Sequence, residues 1–166
     1  MQVKSLRLYS FIPVLTVVLL LAFAYYQEIV KGLAPCPLCM VQRLVFVIIG
    51  GLFLITLIKP PQFLFRKFIA AIIALVAALG VAISGRHVWL QSLPADEVPA
   101  CGPGLFFLLD NFPMGSVLQE VLHGSGECAE VSWRFLGLTM PMWTLICFAG
   151  FIIYAILWAM LKKNEH

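Results

Sequence analysis

Four stretches of the chain are apolar over about the length of a membrane crossing, and the segments between them are more polar. They run from about residue 8 to 26, 40 to 58, 68 to 84 and 142 to 161. A transmembrane helix needs about 20 consecutive apolar residues. The third stretch is the shortest and is rich in alanine, which suits close packing of helices inside a bundle. The pattern predicts an all-α membrane protein, a four-helix transmembrane bundle formed by residues 1–166 as a single membrane domain.

Composition supports this fold class. Hydrophobic residues make up 62% of the 166 residues and charged residues only 11%, whereas soluble domains average about 25% charged residues. So much apolar surface cannot be hidden inside a soluble domain of this size, so much of it must face lipid. The chain has no basic patch with interleaved aromatic residues and no glycine-rich phosphate loop, and we therefore expect no nucleic-acid partner.

Basic residues are concentrated on one side of the predicted bundle. Seven of them lie before the first span, between the second and third, or after the fourth, and three lie in the opposite loops. The positive-inside rule therefore predicts that both termini are cytoplasmic and that loops of about 27–39 and 85–141 lie outside. The seven are Lys4, Arg7, Lys59, Arg66, Lys67, Lys162 and Lys163, and the three are Lys31, Arg86 and Arg134.

The first span has an alternative interpretation as a cleavable signal peptide. Lys4 and Arg7 precede an apolar core, and Ala22-Phe23-Ala24 is similar to a cleavage site. We favour a retained span, because the bulky Tyr25 follows and because an even number of spans gives a consistent topology.

Four of the five cysteines lie in the two outer loops, where an oxidising compartment permits disulfides. Cys36 and Cys39 form a close pair, whereas Cys101 and Cys128 are far apart in the second loop. Four cysteines allow three pairings, and their spacing favours Cys36–Cys39 with Cys101–Cys128. Cys147 lies within the fourth span and is expected to be a small buried residue with an inert thiol.

Each pair has a structural and a chemical interpretation. A Cys101–Cys128 disulfide could be a staple worth roughly 3–4 kcal/mol. A Cys36–Cys39 disulfide closes almost no loop, so this pair is more typical of a redox centre or of half a metal site. A zinc site using all four thiols is disfavoured because Cys101 and Cys128 are not a second close pair, and we predict no metal.

The surroundings of Cys36 favour redox chemistry. Pro37 suits the first turn of the second span, which places Cys36 at a helix N-terminus, where the helix dipole stabilises a thiolate. Arg43 lies four residues after Cys39, hence on the same face and just below the membrane surface. It either snorkels to lipid phosphates or stabilises the Cys39 thiolate and an anion beside it. An electron acceptor at that depth would be lipid-soluble, which points to a quinone.

Several blocks of residues follow one another along the chain in a specific order. They are Pro35 to Cys39 followed by Gln42-Arg43, His87 to Pro94, Cys101, Gly126 to Glu130, Trp133 to Leu138 and Met140 to Trp143. With these blocks the chain resembles, over nearly its whole length, the bacterial disulfide-bond-forming protein B (DsbB) family of inner-membrane thiol:quinone oxidoreductases.

The resemblance implies a role for each cysteine. Cys101 would accept the attacking thiolate of a reduced periplasmic DsbA-like thiol oxidase. Cys128 would then be released and exchange with Cys36. Cys39 would pass two electrons to a quinone, either ubiquinone or menaquinone, and the Cys36–Cys39 disulfide would form again.

The resemblance also implies two cofactor-binding residues. Arg43 would polarise the quinone and stabilise the charged pair of Cys39 and quinone. His87 is similar in position to a family histidine near the quinone, and the alternative is an interfacial histidine that caps a helix end.

A short segment of the second outer loop predicts a further helix. Its apolar residues Val117, Leu118, Val121 and Leu122 lie opposite polar ones. We interpret it as a short helix lying on the membrane surface, with folding onto the bundle as the alternative.

Three other functions were weighed against a general thiol:quinone oxidoreductase. A paralogue dedicated to one specialised DsbA-like partner is compatible with the sequence. A membrane scaffold with structural disulfides would tolerate Cys36→Ser, whereas an electron carrier would not. A transporter is disfavoured, because spans one, three and four have no ionisable residue at their centres.

Overall fold

The computed structural model describes residues 2–94, 96–100, 102 and 105–160. Four long helices dominate it, and each is long and apolar enough to cross a membrane. They confirm the predicted four-helix bundle. Cys101, Lys162 and Lys163 lie outside the described residues. The helices are α1 (Gln2–Ile29), α2 (Pro37–Ile58), α3 (Phe63–Gln91) and, at the end of the chain, α7 (Met140–Met160).

The observed helices are longer than the apolar stretches, most clearly in α3. This helix begins at Phe63 and ends at Gln91, against a predicted span of about 68–84. The backbone keeps its hydrogen bonds beyond the lipid-facing segment, so the helix carries Arg66 at one end and His87 at the other.

Close packing of α3 against α7 forms the centre of the bundle. The ring of Phe148 stacks on that of Phe46 from α2, with centroids 4.2 Å apart and planes 14° from parallel. On the other side, a Cβ at Gly80 would lie 2.7 Å from the Phe148 ring. The absent side chain at Gly80 therefore lets α3 approach α7, as expected from the small residues of the third span.

The segment between α3 and α7, which the sequence predicts to be the second outer loop, folds into short elements at one end of the bundle. These are the helices α4 (Leu105–Asn111), α5 (Met114–His123) and α6 (Gly126–Ala129), then strands β1 (Arg134–Phe135) and β2 (Leu138–Thr139). The strands pair as an antiparallel hairpin, with Phe135 opposite Leu138. Its turn residues Leu136 and Gly137 both have positive φ, 52° and 81°, which matches the twist of a two-residue hairpin turn.

The α5 helix packs onto the outer end of the bundle. Val117 and Val121 are buried in a cluster with Leu38 of α2 and Leu90 of α3. These two valines therefore face protein and not lipid, which is the alternative that the sequence left open. A position of α5 at the membrane surface stays a prediction.

Candidate active site

Three cysteines meet at the outer end of the bundle, beside the ring of His87. The sulfurs of Cys36 and Cys39 are 3.1 Å apart. The sulfurs of Cys36 and Cys128 and one ring nitrogen of His87 all lie within 4.8 Å of one another. Cys36 is 6% exposed and Cys128 is fully buried. Thiols from two different outer segments thus form one buried cluster.

The start of α2 determines the position of Cys36. Pro37 occupies the first turn, and Cys36 is the N-cap in an extended conformation, with φ −70° and ψ 162°. Its sulfur accepts a hydrogen bond from the backbone N–H of Cys39 at 3.4 Å. An N-terminal N–H that would otherwise be unpaired therefore stabilises negative charge on this sulfur.

The α6 helix brings Cys128 against α3. The backbone at Gly124 has φ +83°, and a Cβ there would collide with the Leu90 side chain. The Gly126 N–H donates to the carbonyl of Ala100 at 3.2 Å. This hydrogen bond holds the start of α6 against the segment that follows α3. Cys101, the fourth predicted redox cysteine, lies outside the described residues.

Hydrogen bonds between the thiols shift the pKa values of Cys128 and Cys36 in opposite directions. The pKa of the Cys128 thiol is lowered from 9.0 to about 6, chiefly because the Cys36 thiol donates to it. Hydrogen bonds from Leu38 and Ser125 add to this effect and oppose the burial, which by itself raises the pKa. The pKa of Cys36 is raised by its hydrogen bonds to Cys128 and then Cys39, and further by burial. The thiol of Cys128 is therefore more acidic than that of Cys36, and the two sulfurs face each other.

His87 faces the cysteines from the outer end of α3. The residue is 2% exposed. Its Nε2 lies 3.7 Å from the Cys36 sulfur, and its Nδ1 lies 3.1 Å from Nε2 of Gln42. The ring therefore faces the thiol cluster, and it also forms a hydrogen bond with the backbone of Cys128.

Arg43 is held by α1. Its guanidinium forms an ion pair with Glu28, donates to the Ala24 carbonyl at 3.3 Å and lies 5.0 Å from the centre of the Tyr25 ring. The sequence analysis missed Glu28, whose signal was an acidic residue at the outer end of the first span. These contacts hold Arg43 beside Cys39 and away from a purely lipid-facing position.

A cavity of about 310 Å³ opens beside Cys39, and its lining is mostly apolar. Gln91 also lines it, and the buried Oε1 of this residue has no hydrogen-bond partner among the described residues. A smaller cavity between α1 and α7 shares Cys147 with the first. The lining of the larger cavity includes Cys36, Arg43, His87, Leu20, Phe23, Phe46, Trp133 and Trp143.

The same cluster offers ligands that a metal could use. Cys36, His87 and Cys128 each present one ligand atom, and thiolates with imidazole are typical ligands of Zn²⁺. The ligands are also the groups that thiol–disulfide exchange would bring together. The absence of a resident metal stays a prediction.

Comparison with known proteins gives a consistent result. The family described as disulfide bond formation protein DsbB matches residues 6–158. Disulfide bond formation protein B of Nitrosococcus oceani is 50% identical over 156 residues, which cover 94% of this chain and 92% of that protein. The protein of the same name from Hahella chejuensis is 46% identical over 153 residues, covering 92% and 93%. That from Acinetobacter baumannii is 45% identical over 159 residues, covering 95% and 92%.

Proposed function

We propose, from the premise that this chain belongs to the disulfide bond formation protein DsbB family, that it oxidises a periplasmic DsbA-like dithiol protein and passes the electrons to a membrane quinone. Membership makes it a membrane protein of disulfide bond formation. The observation that carries the finer proposal is the thiol cluster, in which Cys36 lies beside both Cys128 and Cys39.

The geometry supports one direction of exchange. Disulfide exchange requires a thiolate that attacks a disulfide sulfur. When Cys36 and Cys39 are bonded, the Cys128 thiolate attacks Cys36, so that a Cys36–Cys128 bond forms and the Cys36–Cys39 bond breaks. The electron pair leaves on Cys39, which lines the cavity.

Cys101 supplies the connection to the soluble partner in this proposal. A partner thiolate attacks Cys101 of a Cys101–Cys128 disulfide, and the electron pair leaves on Cys128. That released thiolate is the nucleophile of the exchange with Cys36. The loop thus carries electrons from a partner outside the membrane to a buried sulfur.

The cavity fits a quinone ring. Its volume of about 310 Å³ is at the lower end of the sizes of small-molecule sites. Its walls are largely apolar, and Gln91 Oε1 is a buried acceptor without a partner among the described residues. Arg43 would donate to a carbonyl of the ring, His87 would line the ring edge, and Gln91 Oε1 would accept from a hydroxyl of the reduced ring. The smaller cavity between α1 and α7 would suit the start of an apolar tail. When bound, a quinone accepts two electrons and two protons.

Charge placement in the sequence supports a location for this chemistry. We propose a multi-pass protein of the bacterial inner membrane, with both termini cytoplasmic and the cysteine cluster periplasmic. In this orientation the outer loops meet a compartment where disulfides persist.

A scaffold with structural disulfides is the weaker interpretation. Fixed bridges require separate pairs of sulfurs, whereas Cys36 lies within reach of two different partners. Dedication to one specialised DsbA-like partner remains compatible with this site, and a comparison of several partner proteins in the assay below would reveal it.

The test is quinone reduction by the purified protein with a reduced DsbA-like protein and a short-chain ubiquinone or menaquinone. We expect Cys39→Ser to abolish quinone reduction. Thr56→Val serves as the control, because Thr56 is buried at the opposite end of α2. Quinone reduction by the Cys39→Ser protein at the unchanged rate would refute the proposed electron exit.

A further inference from the structure

A chain of polar contacts crosses the bundle from α7 through α2 to α3 and ends at Cys36. The Thr144 hydroxyl donates to Oε1 of Gln42 at 2.8 Å, and Nε2 of Gln42 lies 3.1 Å from Nδ1 of His87. The other ring nitrogen lies 3.7 Å from the Cys36 sulfur, and the ring also forms a hydrogen bond with the backbone of Cys128. Gln42 is only 3% exposed. Buried polar groups are costly unless they are hydrogen bonded. This series of polar contacts therefore does more than fill space in the bundle.

The direction of each hydrogen bond determines where His87 carries its hydrogen. A carbonyl oxygen only accepts, so the contact with Thr144 assigns Oε1 of Gln42 and turns its amide nitrogen toward His87. An amide nitrogen only donates, so Nδ1 of His87 must accept. In a neutral imidazole the hydrogen then resides on Nε2, the nitrogen nearest Cys36.

A reversed amide is the competing arrangement. The Thr144 hydroxyl also lies 2.9 Å from the Pro141 carbonyl. If it donated there, Gln42 could turn over and leave Nε2 of His87 without a hydrogen. Cys36 disfavours this arrangement, because its single S–H already faces the sulfurs of Cys39, 3.1 Å away, and Cys128. A bare Nε2 would then face a sulfur with no hydrogen to offer.

We infer that His87 donates its Nε2–H to the sulfur of Cys36, and that Gln42 and Thr144 are positioning residues that hold His87 in this tautomer. The inference rests on the proposed function, because it gives His87 a role on a thiol of the exchange. Its role on Cys36 is distinct from the quinone contact that the resemblance implies.

The hydrogen bond serves the second exchange of the cycle. The second thiolate of the partner first displaces Cys101 from the mixed disulfide, which leaves the partner oxidised and Cys101 as a thiolate. This thiolate attacks Cys128 of the Cys36–Cys128 disulfide, so that Cys101–Cys128 forms and Cys36–Cys128 breaks. The electron pair leaves on Cys36, and Nε2–H stabilises that charge without transferring its proton. Hydrogen bonds to an ionised group are about twice as strong as neutral ones, so the effect is largest as Cys36 leaves.

The direct test is nitrogen NMR of protein labelled with ¹⁵N-histidine, in micelles without partner or quinone. The chain has three histidines, and His87→Asn identifies the signals of His87. We expect Nε2 protonated and Nδ1 unprotonated. A predominant Nδ1–H tautomer, or equal populations of the two, would overturn the inference.

Thr144→Val tests the positioning role through Cys36. In a protein with the other four cysteines changed to serine, we expect Thr144→Val to populate the second tautomer. At fixed pH we also expect Cys36 alkylation to slow by at least about threefold, because the thiolate loses a hydrogen bond. Thr144→Ser should restore both properties. Thr56→Val removes a hydroxyl that is buried elsewhere in the bundle and donates to Ser10 at 3.0 Å, and it should change neither.

Alkylation slowed no more by Thr144→Val than by Thr56→Val would contradict the inference. If the valine variant does not fold, Gln42→Met is measured in the same way and with the same expected loss. These measurements use neither partner nor quinone. A failure here therefore leaves quinone reduction as a separate test of the proposed function.

Discussion

Arg43 of α2 and Glu28 of α1 form an ion pair beside the cavity that Cys39 lines. The pair is partly exposed, at 18% and 32% of the two side chains, so its contribution to stability is small. Its main consequence is to position the guanidinium beside Cys39.

We expect Arg43→Met to raise the KM for quinone by about tenfold, because a charged hydrogen-bond donor to the ring edge is lost. Glu28→Gln should raise it less, since the carboxamide still accepts a hydrogen bond from Arg43. Steady-state kinetics with varied quinone measure both effects. Lys31→Met removes an exposed cation of the same outer side and is the control. An equal KM in Arg43→Met and Lys31→Met would exclude Arg43 from the quinone site.

The acidity of Cys128 depends on Cys36. Since its pKa is lowered from 9.0 to about 6, its thiolate stabilises the fold fully above pH 9, and this contribution is lost as pH falls through about 6. The ¹³Cβ chemical shift of Cys128 should titrate with a midpoint near pH 6, and this midpoint should move to higher pH in Cys36→Ala. Cys36→Ser keeps a hydrogen-bond donor and should retain most of the shift. Identical midpoints in the alanine and serine variants would disprove the dependence.

Gly80 allows α3 to approach α7. Gly80→Ala places a Cβ 2.7 Å from the Phe148 ring, and overpacking of this kind costs about 1–3 kcal/mol of unfolding free energy. Reversible denaturation in mixed micelles measures this loss. Gly150→Ala on α7 is the matched control, because its Cβ would meet no described atom within 4 Å. Equal unfolding free energies of the two variants would mean that α3 and α7 accommodate the added methyl group without loss of stability.

Removal of quinone should leave the disulfides intact as long as no reduced partner is added, and it should stop turnover. A partner of the proposed DsbA type is itself a strong oxidant, at about −120 mV, so its electrons need an acceptor of higher potential. We expect the quinone-free protein under anaerobic conditions to oxidise at most two equivalents of partner, one for each predicted disulfide. Thiol counting by mass spectrometry follows this reaction. Continued turnover without quinone would show a different electron acceptor.

The sequence predicted the number and order of the long helices because apolar runs report directly on lipid exposure. The helix ends were less predictable, since α3 continues through the polar residues Arg66 and His87. The apolar residues of α5 showed that one face of this helix is apolar. Such a pattern does not distinguish a face that contacts lipid from a face that packs on protein. Val117 and Val121 are covered by protein because α5 docks on the bundle.

The candidate site was only partly predictable. The Cys36–Cys39 pair is local, and its position at the start of α2 follows from Pro37. The meeting of Cys36 with Cys128 was implied by the family resemblance and not by spacing. The contact between Gln42 and Thr144 joins residues 102 positions apart. It depends on how two helices rotate about their axes, which apolar periodicity alone does not determine.

The backbone of Gly124 runs so close to Leu90 that any side chain at this position would push the two segments apart. A larger residue there should lift Cys128 away from Cys36 and leave each cysteine pair chemically intact. The loop would still take electrons from a soluble thiol, and the membrane pair would still reduce a lipid carrier. Each cysteine pair would then still react with its own substrate, but no electrons would pass from one pair to the other.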